Sequence, residues 1–165
     1  MSVEPERVDL IAREIVHQPA EAAKGAEFLV CMLSDGPTCD DVLLKQGAVA
    51  ALAPNALVIV MASIPVDTAQ AEAKACAALG RRYIDAPVSG GQAGAENGKL
   101  TIMVGGDPAV FSQAGPGLAH YARAVTLLGG SGRGQLTKMV NPICLAGLGA
   151  ALAAGGHFAP RAGLA

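Results

Sequence analysis

A short loop of small residues, Ser89-Gly90-Gly91, follows an apolar run that ends in the segment Asp85-Ala86-Pro87-Val88. Glycine has no Cβ atom, so the backbone N–H groups at positions 90 and 91 can approach a ligand closely. Such groups, together with the Ser89 hydroxyl, can bind a carboxylate or another oxyanion. A loop of this composition is more often a simple turn, and by itself the segment leaves both interpretations open.

A second glycine-rich turn, residues 129–134, leads into a helical pattern that carries Lys138 and Asn141. These two residues are three positions apart, and therefore they can share one face of a helix. An ammonium group and an amide on one face can contact the same small polar ligand. A lysine on a solvated helix face is the commoner case, and the spacing alone does not separate the two interpretations.

The elements that must position these residues follow an alternating order. Short apolar runs bounded by turn residues predict strands at 28–33, 56–62, 82–86, 100–104 and 125–128. Helical patterns lie at 19–24, 37–44, 67–79 and 108–121, and the triplet Gly115-Pro116-Gly117 is expected to break or bend the last one. This alternation favours an α/β fold with a doubly wound, mostly parallel sheet.

Composition and charge argue against nucleic-acid, metal and membrane binding. The formal net charge of −2 provides no basic field for phosphates, so no nucleic-acid partner is expected. The cysteines and histidines are scattered, so no metal site is expected. The N-terminus is polar and no apolar run approaches the ~20 residues that span a bilayer. We therefore expect a cytoplasmic protein without a membrane segment.

Taken together, these segments resemble the β-hydroxyacid dehydrogenase family, above all its 3-hydroxyisobutyrate dehydrogenases and tartronate semialdehyde reductases. The resemblance covers residues 19–145 and depends on DAPVSGG at 85–91, GAENGKLTIMVGGD at 94–107 and GxGxxxKxxN at 132–141. It implies a Rossmann-like domain and an oxidoreductase that uses NAD or NADP. The implied substrate is a small 3-hydroxy acid of the 3-hydroxyisobutyrate or 2-hydroxy-3-oxopropanoate type.

The resemblance also implies roles for individual residues. Lys138 matches the catalytic lysine, a general acid/base for the proton that accompanies hydride transfer. The residues implied to contact the substrate are Ser89, Gly90, Gly91 and Asn141. The residues implied to contact the cofactor are Leu33, Ser34, Thr38 and Ser63.

The sequence departs from the family pattern in three places. We find no GxGxxG turn of the kind that cradles a pyrophosphate, since residues 130–134 lack the third glycine. The chain is therefore expected to lack the first βαβ unit, and its length predicts that it also lacks the C-terminal helical domain. Pro142 stands where the family has a second asparagine, and it is expected to kink the helix beside Lys138.

These departures lead to an expected organisation and to alternatives. We expect a weakly patterned segment at 1–18, a partial NAD(P)-binding domain at 19–130, the start of the catalytic inter-domain helix at 131–154 and a frayed tail at 155–165. A homo-oligomer or a complementing chain is expected, because an incomplete sheet exposes surfaces that are normally covered. The alternative to an enzyme is a non-catalytic remnant or an interaction subunit with little or no cofactor binding of its own.

Overall fold

The computed structural model describes residues 16–164, so most of the predicted N-terminal segment lies outside the described residues. All five predicted strands are present, with bounds that differ by a few residues, and one short strand was not predicted. The strands are β1 Phe28–Cys31, β2 Leu57–Val60, β3 Arg82–Asp85, β4 Val88–Ser89, β5 Leu100–Gly106 and β6 Ala122–Leu127.

The predicted helices lie between these strands with shifted bounds, and two short helices, Ala48–Ala51 and Gly91–Glu96, were not predicted. In chain order, the helices are α1 Pro19–Ala22, α2 Gly36–Asp40 with a following π-helical turn Asp41–Lys45, α3 Ala48–Ala51, α4 Val66–Ala78, α5 Gly91–Glu96, α6 Pro108–Leu118 and α7 Arg133–Arg161. Of the break or bend expected at Gly115-Pro116-Gly117, the break is wrong, because α6 continues through Pro116 to Leu118, and a bend stays a prediction. Pro116 cannot donate to the Ser112 carbonyl oxygen, but buried Ala114 and Leu118 pack this last turn against the core and hold it in helical geometry.

The sheet is Rossmann-like and mixed. Strands β1, β2 and β3 are parallel neighbours, β5 pairs antiparallel with β3 and β4, and β6 pairs parallel with β5. The doubly wound, mostly parallel sheet expected from the sequence is therefore confirmed, with β5 and β6 running opposite to the other strands. Cys31, Val60 and Asp85 are in register at the carboxyl ends of the three parallel strands. In open α/β sheets this edge is where ligands bind.

The central strand β2 is buried on both faces, as a parallel strand between two helical layers should be. Its side chains point alternately to the two faces of the sheet and belong to two core clusters. Val58 and Val60 join the cluster that packs under the first helices of the chain. Leu57 and Ile59 join the cluster that packs against α6.

Helix α7 is 29 residues long. The structure gives helical geometry through Pro142 and past Gly155 to Arg161, which includes most of the tail that the sequence marks as a poor helix former. A kink at Pro142 and fraying of the last turns stay predictions. Residues 139–158 are all exposed. By length and composition alone, the helix is long and apolar enough to cross a membrane. The sequence did not indicate this, because glycines and polar residues interrupt its apolar runs.

Glu72 on α4 is a buried carboxyl group beneath this sheet, with no exposed surface. The Tyr83 hydroxyl donates a 2.8 Å hydrogen bond to Glu72 Oε2. Within residues 16–164, no hydrogen bond reaches Oε1 of the same side chain. Burial raises the pKa of Glu72 to about 7, and Asp40 nearby adds to the rise while the Tyr83 bond opposes it.

We expect Glu72→Gln to remove a pH dependence of folding. The ordinary pKa of this carboxyl group is 4.5, so the folded state retains its proton to a higher pH than the unfolded chain does. The stability that Glu72 contributes is complete below about pH 4.5 and is lost as the pH rises through about 7. The total loss is about 3 kcal/mol, measured as the free energy of unfolding in urea between pH 4 and pH 8.

Glu27→Gln is the matched control for this measurement, because Glu27 is exposed. It should follow the wild-type stability curve, whereas Glu72→Gln should be flatter over this range and more stable than the wild type at pH 8. Parallel curves for the wild type and Glu72→Gln would contradict the assignment.

Candidate active site

The start of α7 is fixed by a carboxylate from the sheet. Asp85, the fully buried last residue of β3, accepts hydrogen bonds from the backbone N–H of Gly132 at 2.7 Å and of Gln135 at 2.9 Å. The helix's own N-cap residue is Gly132, which has no side chain for this purpose. Burial raises the pKa of the Asp85 carboxyl group, and the donated backbone bonds oppose that rise. Asp85 therefore serves as the N-terminal cap of a helix whose N-cap residue, Gly132, lies 47 residues away.

Two glycines leave the space that this carboxylate occupies. A Cβ atom on Gly134 would overlap the carbonyl oxygen of Met103 and lie 2.8 Å from Asp85 Oδ2. A Cβ atom on Gly105 would lie 2.5 Å from Asp85 Oδ1. Both approaches are closer than side-chain carbon atoms tolerate. Glycines at positions 105 and 134 thus permit the contact between β3, β5 and α7.

Gln135 connects the same helical turn to the loop after β2. Its side chain is 1% exposed. Its Nε2 donates to the carbonyl oxygen of Ala62 at 2.8 Å, and its Oε1 accepts from the N–H of Ile64 at 3.1 Å. These two backbone groups lie on either side of Ser63. Sequence reasoning missed both Gln135 and Asp85, although a polar residue that ends an otherwise apolar strand is a signal for the second.

Lys138 and Asn141 follow one and two turns later, and both reach the loop after β3, in which Val88 and Ser89 form the short strand β4. Lys138 Nζ donates to the carbonyl oxygen of Val88 at 2.7 Å. Asn141 Nδ2 donates to Ser89 Oγ at 3.1 Å. Gly90, with φ +134°, and Gly91, with φ +60°, continue this loop into α5, where the sequence predicted an irregular segment. The structure thus brings the five predicted catalytic and substrate residues together.

These five residues line one cavity of about 530 Å³. Its apolar wall comes mainly from α7 and the end of β1; the wall residues include Met32, Leu100, Pro142 and Leu145. A second cavity, of about 470 Å³, lies against the loop after β2 and includes Ser63, Ile64 and Pro65. Lys138 and Pro142 line both cavities. The lysine therefore stands between the predicted substrate loop and one predicted cofactor residue.

The other three predicted cofactor residues lie at the carboxyl end of β1. Asp35 caps α2 by accepting from the Thr38 N–H at 2.8 Å, and Ser34 Oγ donates to Asp35 Oδ2 at 2.9 Å. These bonds, those from Thr38 first, lower the pKa of Asp35. Leu33 packs against the core and borders a separate apolar cavity of about 490 Å³. Leu33, Ser34 and Thr38 are not among the residues that line the two cavities at Lys138.

A Rossmann-like sheet with these loops at the carboxyl ends of its strands defines a domain of the dinucleotide-binding class. Residues 3–130 match the family model of the NAD binding domain of 6-phosphogluconate dehydrogenase. The chain belongs to this family and, within it, to the β-hydroxyacid dehydrogenases.

The similar proteins are oxidoreductases. The chain is 44% identical over 147 residues to an uncharacterized oxidoreductase of Shewanella frigidimarina, in a match that covers 88% of this chain and 50% of the relative. It is 37% identical over 133 residues to the 2-hydroxy-3-oxopropionate reductase of Escherichia coli, covering 79% and 45%. The structure of Mycobacterium tuberculosis 3-hydroxyisobutyrate dehydrogenase with L-serine matches with a TM-score of 0.85 at 32% identity, covering 88% and 50%.

The chain spans about half the length of the curated relatives it matches.

Paired glycine substitutions on α7 test the packing around Asp85. Gly134→Ala should lower the free energy of unfolding by about 1–3 kcal/mol, because its methyl group must displace Asp85 or the Met103 carbonyl. Gly147→Ala should instead raise it by ~0.5–1 kcal/mol, since a methyl group there meets nothing within 4 Å beyond the helix itself and alanine favours the helix. Urea unfolding of both variants checks the pair, and equal effects of the two would contradict the packing argument.

Proposed function

We propose that this chain carries the substrate loop and the proton-transfer residue of a NAD(P)-dependent dehydrogenase for small 3-hydroxy acids, of the 3-hydroxyisobutyrate or 2-hydroxy-3-oxopropanoate type. One observation carries the proposal. Lys138 and Asn141 both reach the loop at Val88 and Ser89, and Lys138 also borders the cavity at Ser63. An acid bound at the loop would thus place its hydroxyl group beside the lysine.

The proposed chemistry divides between the loop and α7. The backbone N–H groups of Gly90 and Gly91 and the Ser89 hydroxyl bind the substrate carboxylate. Asn141 holds Ser89 in place and orients the substrate hydroxyl group. In the direction of reduction, the Lys138 ammonium donates a proton to the carbonyl oxygen, and in oxidation Lys138 receives the proton of the hydroxyl group. A bound nicotinamide supplies or accepts the hydride.

The cavity at Ser63 fits a nicotinamide ring by position, because it adjoins Lys138 at the carboxyl end of β2. Ser63 would contact that end of the cofactor. Leu33, Ser34 and Thr38 would contact it from the end of β1, beside the Asp35 cap of α2. NAD and NADP are both compatible with these residues, and titration with each dinucleotide distinguishes them.

We further propose that the protein is cytoplasmic and associates with a second copy of itself or with a complementing chain. Support comes from large apolar side chains that are exposed along α7, among them Ile143 at 67% and Leu145 at 69%. Phe28 and Val30 on β1 and Met32 directly after it are exposed as well. Surfaces of this kind usually mark an interaction site.

Calorimetric titration with NADH, NADPH and a 3-hydroxy acid tests the proposed function. We expect one dinucleotide to bind and the acid to bind at the Ser89 loop. If turnover is measured, Lys138→Ala should reduce kcat by about 10²–10⁴-fold, the usual contribution of a general acid/base. Lys74→Ala is the matched control, because Lys74 is exposed on α4, and it should leave kcat unchanged.

Absence of dinucleotide binding at millimolar concentration would overturn the proposal in favour of a non-catalytic remnant or an interaction subunit. Retained turnover in Lys138→Ala would overturn the role of the lysine alone.

Association can be measured by light scattering coupled to size-exclusion chromatography. We expect the wild-type mass to exceed that of one chain and to rise with concentration. The double variant Leu148→Glu with Leu152→Glu places two charges on one apolar helix face and should shift the protein toward the monomer. Lys99→Glu, an exposed change outside this face, should not. A wild-type monomer at every concentration would contradict association with a second copy and leave a complementing chain as the proposed partner.

A further inference from the structure

We infer that Gln135 is a positioning residue, which fixes Lys138 between the loop after β3 and the loop after β2. This inference deepens the proposed function and rests on it for the role of Lys138. The hydrogen bonds of Gln135 do not depend on whether Lys138 is catalytic. Its buried amide group bridges α7 to the backbone on both sides of Ser63.

Both ends of the Gln135 amide group are used. The Nε2 group donates to Ala62 and the Oε1 atom accepts from Ile64, so the amide is held in one orientation. With the side chain 1% exposed, water does not replace either bond when the side chain is changed. A side chain without these atoms leaves a carbonyl and an N–H unpaired in the interior, which is costly.

This bridge gives α7 a second point of attachment. Asp85 holds the backbone at Gly132 and Gln135, and by itself it fixes where the helix begins. The Gln135 side chain then reaches a different strand end, so the helix cannot tilt or rotate about its first turn. Residues 139–158 are exposed and add no buried contact that would restore the direction of the helix.

Lys138 is the residue that depends on this direction. It lies three positions after Gln135, less than one helical turn, so the two side chains are neighbours on the helix surface. The Lys138 Nζ atom must reach the Val88 carbonyl oxygen while its side chain also borders the Ser63 cavity. A change in the direction of α7 separates Nζ from Val88 and opens the lysine to solvent.

The reactivity of Lys138 toward reductive methylation measures this position without any ligand. Mass spectrometry gives the rate for Lys138 relative to exposed Lys74 in the same molecule. In the wild type Lys138 should react more slowly, because it is half-buried and donates to Val88. In Gln135→Leu we expect the ratio to rise about fivefold, the factor that corresponds to losing one hydrogen bond.

Leu118→Ala is the control for a loss of stability alone, because Leu118 is buried on α6 and contributes to the core. It should lower the melting temperature and leave the Lys138 ratio unchanged. If Gln135→Leu does not fold, Gln135→Glu replaces it, since a carboxylate can still accept from Ile64 but cannot donate to Ala62. An unchanged ratio in whichever folded Gln135 variant is measured overturns the inference.

Titration of the same proteins with NADH and NADPH separates this result from the proposed function. A raised ratio in a protein that binds neither dinucleotide supports the positioning role and overturns the proposed function. An unchanged ratio in a protein that binds one of the dinucleotides overturns the positioning role and leaves the proposed function supported. If the protein binds a dinucleotide, Gln135→Leu should also weaken dinucleotide binding, because Ser63 is displaced. The loss should be larger than the loss of hydroxy-acid binding.

Discussion

The carboxylate of Asp85 joins the sheet to the helix that carries the candidate site. Asp85 ends β3, and the loop that continues from it contains Val88 and Ser89, while its two oxygens hold the first turn of α7. One residue therefore sets where the loop starts and where the helix starts. The distances from Lys138 to Val88 and from Asn141 to Ser89 follow from these two short connections. A negative group at a helix N-terminus is also electrostatically favourable.

The glycines around Asp85 have a packing role that the sequence alone does not indicate. Residues 130–134 look like a degenerate phosphate-binding turn, but in the structure Gly132 donates its N–H to Asp85 and Gly134 leaves room for the carboxylate. Gly132 adopts a φ of +88°, which L-residues with a side chain rarely accept, and a Cβ atom there would meet Val66 at 2.9 Å. The repeated glycines thus serve the contact between α7 and the sheet.

The sequence predicts features that depend on neighbouring residues better than features that join residues far apart in the chain. Strands and most helices were predictable because apolar periodicity and turn residues are local, and the shared face of Lys138 and Asn141 follows from their spacing. The break expected at α6 is wrong because the proline rule is local, whereas the packing of Ala114 and Leu118 against the core holds the last turn. The bonds of Asp85 to Gln135 and of Gln135 to Ala62 join residues 50 and 73 positions apart, and no local pattern indicates them. The roles of Ser89 and Lys138 came from the family resemblance, and the structure adds their proximity.

Helix α7 has two parts with different sources of stability. Its first turns are held by Asp85 and Gln135, whereas residues 139–158 are exposed and depend on intrinsic helix propensity, which Pro142 and four glycines at 147, 149, 155 and 156 reduce. Pro142 has no N–H to donate to the carbonyl oxygen of Lys138, so the hydrogen-bond ladder is interrupted at the residue whose side chain holds Val88. A chain that covers the exposed face would therefore stabilise the turn that carries Asn141. The proposed association along α7 would therefore be coupled to order in the candidate site, because both depend on the same turn.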